Sequence, residues 1–178
     1  MELIAMLKDL THGISYIHSN GVIHRDIKID NVILKHNVCK ITDFGVSSVG
    51  EISQTFVGTP VYLAPEIMNN RVYNDAYDKT VDIWALGVLA FESYFRINPF
   101  FYHGSRLMTF SDFEVITDNI MNICIPEFDI KNVIKMIRKE NMEKEANFIV
   151  KKLQKTSKHL IFLFKKFFEF EPQKRAKT

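Results

Sequence analysis

Residues 24–31 read His24-Arg25-Asp26-Ile27-Lys28-Ile29-Asp30-Asn31, and a second motif, Asp43-Phe44-Gly45, follows after a gap that fits one short β-hairpin. Asp26 carries a carboxylate that can accept the proton of an attacking hydroxyl, and Lys28 can neutralise charge on a phosphoryl group in transit. Asn31 and Asp43 offer hard oxygen ligands of the kind that Mg²⁺ prefers, and few are needed because phosphate and water complete the shell of that ion. Together the two motifs predict a site for a magnesium-bound phosphate.

The order of the motifs resembles that of the eukaryotic protein kinases. An HRD-x-K-x-x-N loop at 24–31, DFG at 43–45 and Ala64-Pro65-Glu66 follow one another as they do in that family. The resemblance implies that Asp26 and Lys28 are catalytic, and that Asn31 and Asp43 hold Mg²⁺ with ATP as the co-substrate. Taken alone, residues 43–45 would fit a plain turn with a buried Phe44, but beside the first motif the metal-binding role is preferred.

Composition limits the class of protein. The chain has 178 residues, 47% of them hydrophobic and 25% charged, which is typical of one globular domain. A net charge of +2 is too small to argue for nucleic-acid or membrane partners. Two cysteines and the lack of a signal peptide or a long apolar run predict an intracellular location, cytosolic or nuclear.

Hydrophobic spacing predicts a mainly helical α+β fold. Apolar residues at three- and four-residue steps between Leu3 and Ile17 predict a first helix, which Asn20-Gly21 ends. Two short strands around residues 35–38 predict a hairpin that brings Asn31 and Asp43 to one edge. The stretch from Thr80 to Phe91 is apolar nearly all round, which is typical of a helix in the middle of a domain.

Residues 43–66 resemble the activation segment of the kinases. Residues 58–66, from Gly58 to Glu66, resemble the end of the segment at which serine/threonine kinases dock their substrates, and the resemblance implies that Thr59 bonds to Asp26 and Lys28. Lys28 and this segment both favour a serine or threonine acceptor over tyrosine. In such kinases the arginine at the position of Arg25 commonly binds a phosphate on the activation segment. Ser53 and Thr55 are the candidate phosphosites of this chain.

Several further residues are predicted to support the site, together with Phe44 and Gly45. Asp82 would be costly to bury without donors, and the resemblance implies that it accepts bonds from the backbone near His24 and Arg25. The alternative is an aspartate that only complements a helix dipole. His24 is interpreted as a packed scaffold residue rather than an acid or base. The resemblance also pairs Arg175 with Glu66.

The stretch 131–158 is rich in lysine, and it is predicted to be an insertion, part helical and part mobile. Its glutamates cancel much of the positive field and its apolar residues lie at core spacing, so a solvated helical face is preferred over a nucleic-acid contact.

The sequence contains neither a G-x-G-x-x-G loop nor a Val-Ala-x-Lys strand to hold ATP. The resemblance therefore covers residues 1–178 as a partial kinase domain, the large C-terminal lobe without the N-terminal lobe. One hypothesis is a fragment of a serine/threonine protein kinase, a transferase that acts on protein substrates and is inactive until an N-terminal lobe completes it. The other is a non-catalytic, pseudokinase-like binding or regulatory module.

Overall fold

The computed structural model describes residues 2–50, 52–53, 57–68, 76–101 and 110–176, and only the backbone of Ser53, Phe110, Ser111 and Phe113. Of the predicted phosphosites, Thr55 lies outside these ranges, and the side chain of Ser53 is not described.

Within these ranges the chain is mainly helical, as the sequence predicts. The helices are α1 (Leu3–Ser19), α2 (the helical residues 65–68), α3 (Thr80–Phe95), α4 (Phe110–Cys124), α5 (Ile130–Lys139), α6 (Glu143–Leu153) and α7 (Lys158–Phe167). The strands are β1 (Val22–Ile23), β2 (Val32–Lys35), β3 (Val38–Ile41), β4 (Ser48–Val49), β5 (Ile52–Ser53) and β6 (Tyr77–Asp78). The strands pair antiparallel as β1 with β4, β2 with β3 and β5 with β6.

Helix α3 lies in the middle of the core. Every side chain from Val81 to Phe91 is buried, and α1, α6 and α7 pack around the helix. The helix continues past Phe91 to Phe95, where Arg96 adopts a left-handed conformation and its N–H closes the last turn on the carbonyl of Glu92. The predicted central helix is therefore confirmed and is one turn longer than the apolar stretch.

An aromatic cluster packs α3 against α7 and the segments between them. At Gly87 the two helices approach so closely that an added Cβ would lie 2.5 Å from the Cβ of Phe167, so any larger residue would separate them. The ring contacts of this cluster join Trp84, Phe91, Phe95, Phe100, Phe128, Phe164 and Phe168.

Residues 24–31 lie between α1 and the β2–β3 hairpin in the chain. The sequence predicts that this loop is catalytic, and it is called the catalytic loop below. The predicted end of α1 at Asn20-Gly21 is confirmed. The hairpin pairs Val32 with Ile41 and Lys35 with Val38, so each strand is one residue longer than predicted. Only His36-Asn37 remains as the turn, because both residues adopt the left-handed conformation that a two-residue hairpin turn requires.

The stretch 131–158 forms α5, α6 and short connections. Each helix buries one face against the core, through Val133, Ile134 and Ile137 on α5 and through Ala146 and Ile149 on α6. The helical part of the prediction is confirmed, while its status as an insertion stays a prediction. Among the helices described, none has both the length and the apolar composition that crossing a bilayer requires.

Candidate active site

The Asp26 carboxylate is the centre of the candidate site. Its Oδ1 accepts hydrogen bonds from the Thr59 N–H at 3.0 Å and from the Thr59 hydroxyl at 2.7 Å. Its Oδ2 accepts one from Nδ2 of Asn31 at 2.9 Å and lies 2.8 Å from Nζ of Lys28. Lys28 also donates to Oγ1 of Thr59 at 2.8 Å, which closes a ring of three side chains. The contacts expected of Thr59 with Asp26 and Lys28 are therefore present.

These contacts control the charge on Asp26. Burial raises the pKa of the carboxyl, but the hydrogen bonds from Lys28, Thr59 and Asn31 and the positive charge of Lys28 outweigh burial. The pKa therefore lies below its ordinary value of 3.8. The side chain is an anion of fixed orientation at neutral pH, and Lys28 stands beside it as a fixed cation.

Asn31 and Asp43 lie at neighbouring ends of the hairpin. The backbone N–H and the hydroxyl of Thr42 both donate to the carbonyl of Asn31, at 2.9 and 3.1 Å, so residue 43 leaves the hairpin beside the residue that leads into it. Asn31 uses its amide nitrogen on Asp26, which leaves the amide oxygen for a cation. Asp43 is exposed, and its Oδ1 accepts the Gly45 N–H at 3.2 Å.

The donor set of these two residues fits Mg²⁺. An amide oxygen and a carboxylate are hard ligands, and Mg²⁺ keeps several waters or phosphate oxygens rather than a full protein cage. The part of the chain that is described contains no group of three or more His, Cys, Asp or Glu side chains arranged to hold a metal. By their chemistry, Asn31 and Asp43 could serve as the protein ligands of such an ion.

The backbone of the catalytic loop and of two segments of the site, at Asp43 and Gly58, adopts uncommon conformations. Arg25 and Asp43 have φ angles of 70° and 62°, in the left-handed region that side chains other than glycine seldom adopt. Gly58 also has a positive φ, and a Cβ there would lie 2.5 Å from the carbonyl oxygen of Arg25. Gly58 therefore lets the segment that carries Thr59 lie directly against the catalytic loop.

Asp82 attaches the catalytic loop to the core helix α3. The carboxylate is 1% exposed and accepts the backbone N–H groups of His24 and Arg25 at 2.9 and 2.8 Å, as expected. Nε2 of His18 also lies 2.8 Å from Oδ2 of Asp82. His18 lies on α1 and is itself buried, so α1 supplies a buried partner for this carboxylate.

His24 is held on every side, in agreement with a scaffold role. Its Nε2 donates to the carbonyl of Thr42 at 3.1 Å, and its Nδ1 accepts the Asp26 N–H at 3.3 Å. Both contacts suit a neutral imidazole with its proton on Nε2. Phe44 would be buried in a plain turn, but it is 47% exposed. Its ring meets that of His24 edge-on, with the two ring centroids 4.8 Å apart.

Arg25 is directed at the segment after the second motif. Its Nε donates to the carbonyl of Val46 at 2.6 Å, and the hydroxyl of Ser47 donates to the carbonyl of His24 at 3.4 Å. Arg25 is thus close to the start of the segment on which the phosphosites are predicted.

Arg175 and Glu66 form the expected pair across most of the chain. The guanidinium binds both carboxylate oxygens of Glu66, and the distance from Nη2 of Arg175 to Oε2 of Glu66 is 2.7 Å. Arg175 also donates to backbone carbonyls and lies over the ring of Trp84, 5.0 Å from its centroid. The pair ties the helical turn after Ala64 to the end of the chain.

The sequence reasoning did not find a second link between the segment and α3. The Tyr62 hydroxyl donates to the Glu92 carboxylate, and the pKa of Tyr62 is raised by burial and then by this neighbouring acid. Nδ2 of Asn98 donates to the carbonyl of Val61 at 3.3 Å. Glu92 was the one available signal, because an acidic residue in a buried apolar helix needs a partner.

Comparison with known proteins agrees with this geometry. The family model for the protein kinase domain matches residues 1–178. NUAK family SNF1-like kinase 1 of Homo sapiens is 41% identical over 97 residues, serine/threonine-protein kinase TAO3 of Homo sapiens 39% over 102, and serine/threonine-protein kinase dst4 of Dictyostelium discoideum 37% over 109. These segments cover 52%, 57% and 55% of the chain, but only 14%, 11% and 22% of the relatives.

The chain belongs to the protein kinase domain family. TAO3 and dst4 are serine/threonine-protein kinases by name, and each of the three relatives is several times longer than the part that this chain matches.

Proposed function

We propose that this chain is the large lobe of a serine/threonine protein kinase and forms the acceptor side of phosphoryl transfer. The observation that supports this best is the ring of Asp26, Lys28 and Thr59. It places an oriented anion beside a cation and ties both to the segment that would receive the substrate. Phosphoryl transfer needs this kind of positioning and charge compensation more than covalent chemistry.

Each residue of the site has a defined part in the proposed reaction. Asp26 orients the substrate hydroxyl and takes its proton while the hydroxyl oxygen bonds to the γ-phosphorus of ATP and ADP leaves. Lys28 offsets negative charge on the phosphoryl group. Asn31 and Asp43 would hold Mg²⁺, which supplies charge stabilisation when bound.

An apolar surface next to the site supports docking of a small lobe. Ile33 and Leu34 on β2 are 46% and 59% exposed, and Val38 and Phe44 nearby are exposed as well. Ile33 and Phe44 lie within two residues of Asn31 and Asp43 in the chain, so a lobe that docked on them would lie beside the residues proposed to hold Mg²⁺ with ATP. We expect that lobe to carry the glycine-rich strand and the ATP-binding lysine.

For regulation, partners and cellular compartment, the proposal keeps the predictions made from the sequence. We propose that Arg25 grips a phosphate on Ser53 or Thr55, which would order the segment through charge-assisted hydrogen bonds. The partners are then ATP and protein substrates in an intracellular compartment.

The test is the activity of the purified 178-residue chain with Mg²⁺-ATP and a generic serine/threonine peptide. We expect no measurable turnover, because a base supplies about 10²–10⁴ in rate and cannot replace a lobe that holds ATP. Turnover abolished by Asp26→Asn would show that no small lobe is needed. An in-frame sequence upstream of Met1 that encodes a glycine-rich strand and a strand lysine would support the proposal. Stop codons there would favour the non-catalytic binding module.

A further inference from the structure

The α5–α6 hairpin carries a concentration of positive charge that the proposed site does not use. Between residues 131 and 158 there are nine lysine or arginine residues and three glutamates. The whole chain has a net charge of only +2, so the rest of the molecule is net negative. The excess of positive over negative charge is therefore concentrated in this stretch of the chain.

The charged side chains follow the helical repeat. On α5, Lys131, Lys135 and Arg138 recur at steps of four and three, which puts them on one face. On α6, two lysines and one aromatic residue also recur at steps of four and three and share one face: Lys144, Phe148 and Lys151. All six are exposed, because each helix buries its opposite face in the core.

Arg138 joins the two rows into one surface. Its Nε lies 3.3 Å from Oε1 of Glu143, and its Nη2 donates to Oδ1 of Asn147 at 3.4 Å. Asn147 is three residues after Lys144 and four before Lys151, so these lysines lie one turn to either side of the contact. We call the combined surface the basic face, made of Lys131, Lys135, Arg138, Lys144, Phe148 and Lys151.

The basic face is fixed to helix α3, the helix that also holds the segment carrying Thr59 and Tyr62. Nζ of Lys152 donates to the carbonyl of Tyr94 at 2.5 Å, and the Tyr94 hydroxyl is 3.1 Å from that of Thr156. Tyr62 of the segment binds Glu92, half a turn away on α3. A partner bound to a face held in this way would lose little affinity to ordering of the surface.

We propose that the basic face binds an acidic segment of a protein partner. Charge complementarity supplies the attraction, and the exposed ring of Phe148, 45% accessible between two lysines, offers an apolar contact for a side chain of that segment. A bilayer does not fit, because the apolar faces of α5 and α6 are already buried. Three glutamates interrupt the positive field, which suits a short peptide better than a nucleic-acid backbone with evenly repeated charges.

The test is binding of a fluorescein-labelled peptide of eight glutamates around one central leucine to the full chain, by anisotropy at low ionic strength. We expect saturable binding that Lys144→Gln with Lys151→Gln weakens by about tenfold, since each exposed pair contributes modestly. The matched control is Lys8→Gln with Lys40→Gln, which removes the same charge from exposed positions on α1 and β3 and should change affinity less than about twofold.

Three results would overturn the proposal. Equal weakening by both double variants would mean attraction by net charge alone. Tighter binding of a ten-nucleotide uridine RNA, or of phosphatidylserine vesicles, with the same dependence on Lys144 and Lys151 would assign the face to nucleic acid or membrane. Absence of saturable peptide binding to the folded wild-type chain would remove the docking role. None of these readouts requires kinase activity, so they are independent of the proposed function.

Discussion

The hydroxyl of Thr59 donates to Oδ1 of Asp26 at 2.7 Å, although 33 residues separate them in the chain. The same hydroxyl accepts a hydrogen bond from Lys28, so one side chain orients both the anion and the cation of the site. The placement of the segment that carries Thr59 and the orientation of the Asp26 carboxylate therefore depend on the same side chain.

Replacement of Thr59 by valine should therefore impair catalysis more than stability. Valine keeps the shape but removes the hydroxyl, and loss of orientation of this kind can cost about 10²-fold in rate. The measurement is kcat and KM of the kinase completed by its small lobe. Thr59→Ser restores the hydroxyl and should recover most of kcat. Equal activity of the valine and serine variants would contradict a role for the hydroxyl.

Glu66 and Arg175 should behave as a buried ion pair. The side chain of Arg175 is fully buried, so Glu66→Gln leaves its charge without a charged partner and should lower the unfolding free energy by about 3–5 kcal/mol. Urea denaturation of the 178-residue chain measures the effect. The control is Glu171→Gln, which breaks the fully exposed pair with Lys174 and should change stability far less than Glu66→Gln does. Similar losses in both variants would mean that Glu66 and Arg175 contribute only as a surface pair.

His18 should stabilise the fold through Asp82. His18→Ala takes one donor from a buried carboxylate, and we expect a loss of about 1–3 kcal/mol in unfolding free energy. His12 lies on the exposed side of the same helix, so His12→Ala should change stability by less than about 0.5 kcal/mol. Thermal or urea unfolding compares the two, and equal effects would exclude the specific contact.

The pKa of Asp26 makes part of the stability pH-dependent. Because the folded-state pKa lies below 3.8, the ionised carboxylate stabilises the fold above that pH, and the contribution is lost as pH falls through the folded-state pKa. Asp26→Asn lacks this contribution. The difference in unfolding free energy between wild type and Asp26→Asn should therefore stay constant near neutral pH and shrink as the pH falls below 3.8. A constant difference would show that the hydrogen bonds do not favour the charged form.

Much of the site could be predicted from sequence because its parts lie in short motifs. The spacing of Asn31 and Asp43 requires a hairpin, and the hairpin formed, with only its turn shorter than expected. Asp82 could be inferred to need donors because it lies in an apolar helix. In each case a local pattern was enough.

The contacts that sequence reasoning missed depend on tertiary packing. Nothing near His18 indicates Asp82, which is 64 residues away, and the position of His18 on the buried stripe one turn after Ile14 is the one local hint. Gly58 is required only because the segment lies on the carbonyl of Arg25, a contact that no periodicity encodes. The packing of α5 and α6 likewise depends on which elements their buried faces meet.

The most direct measurement is transfer of labelled γ-phosphate from ATP by the chain joined to its small lobe, with matched peptides that differ only in a serine, threonine or tyrosine acceptor. We predict incorporation into the serine and threonine peptides, dependence on Mg²⁺, and loss of about 10²–10⁴ in rate for Asp26→Asn. Preference for the tyrosine peptide, or transfer by the completed enzyme that Asp26→Asn leaves unchanged, would contradict a serine/threonine kinase centred on Asp26.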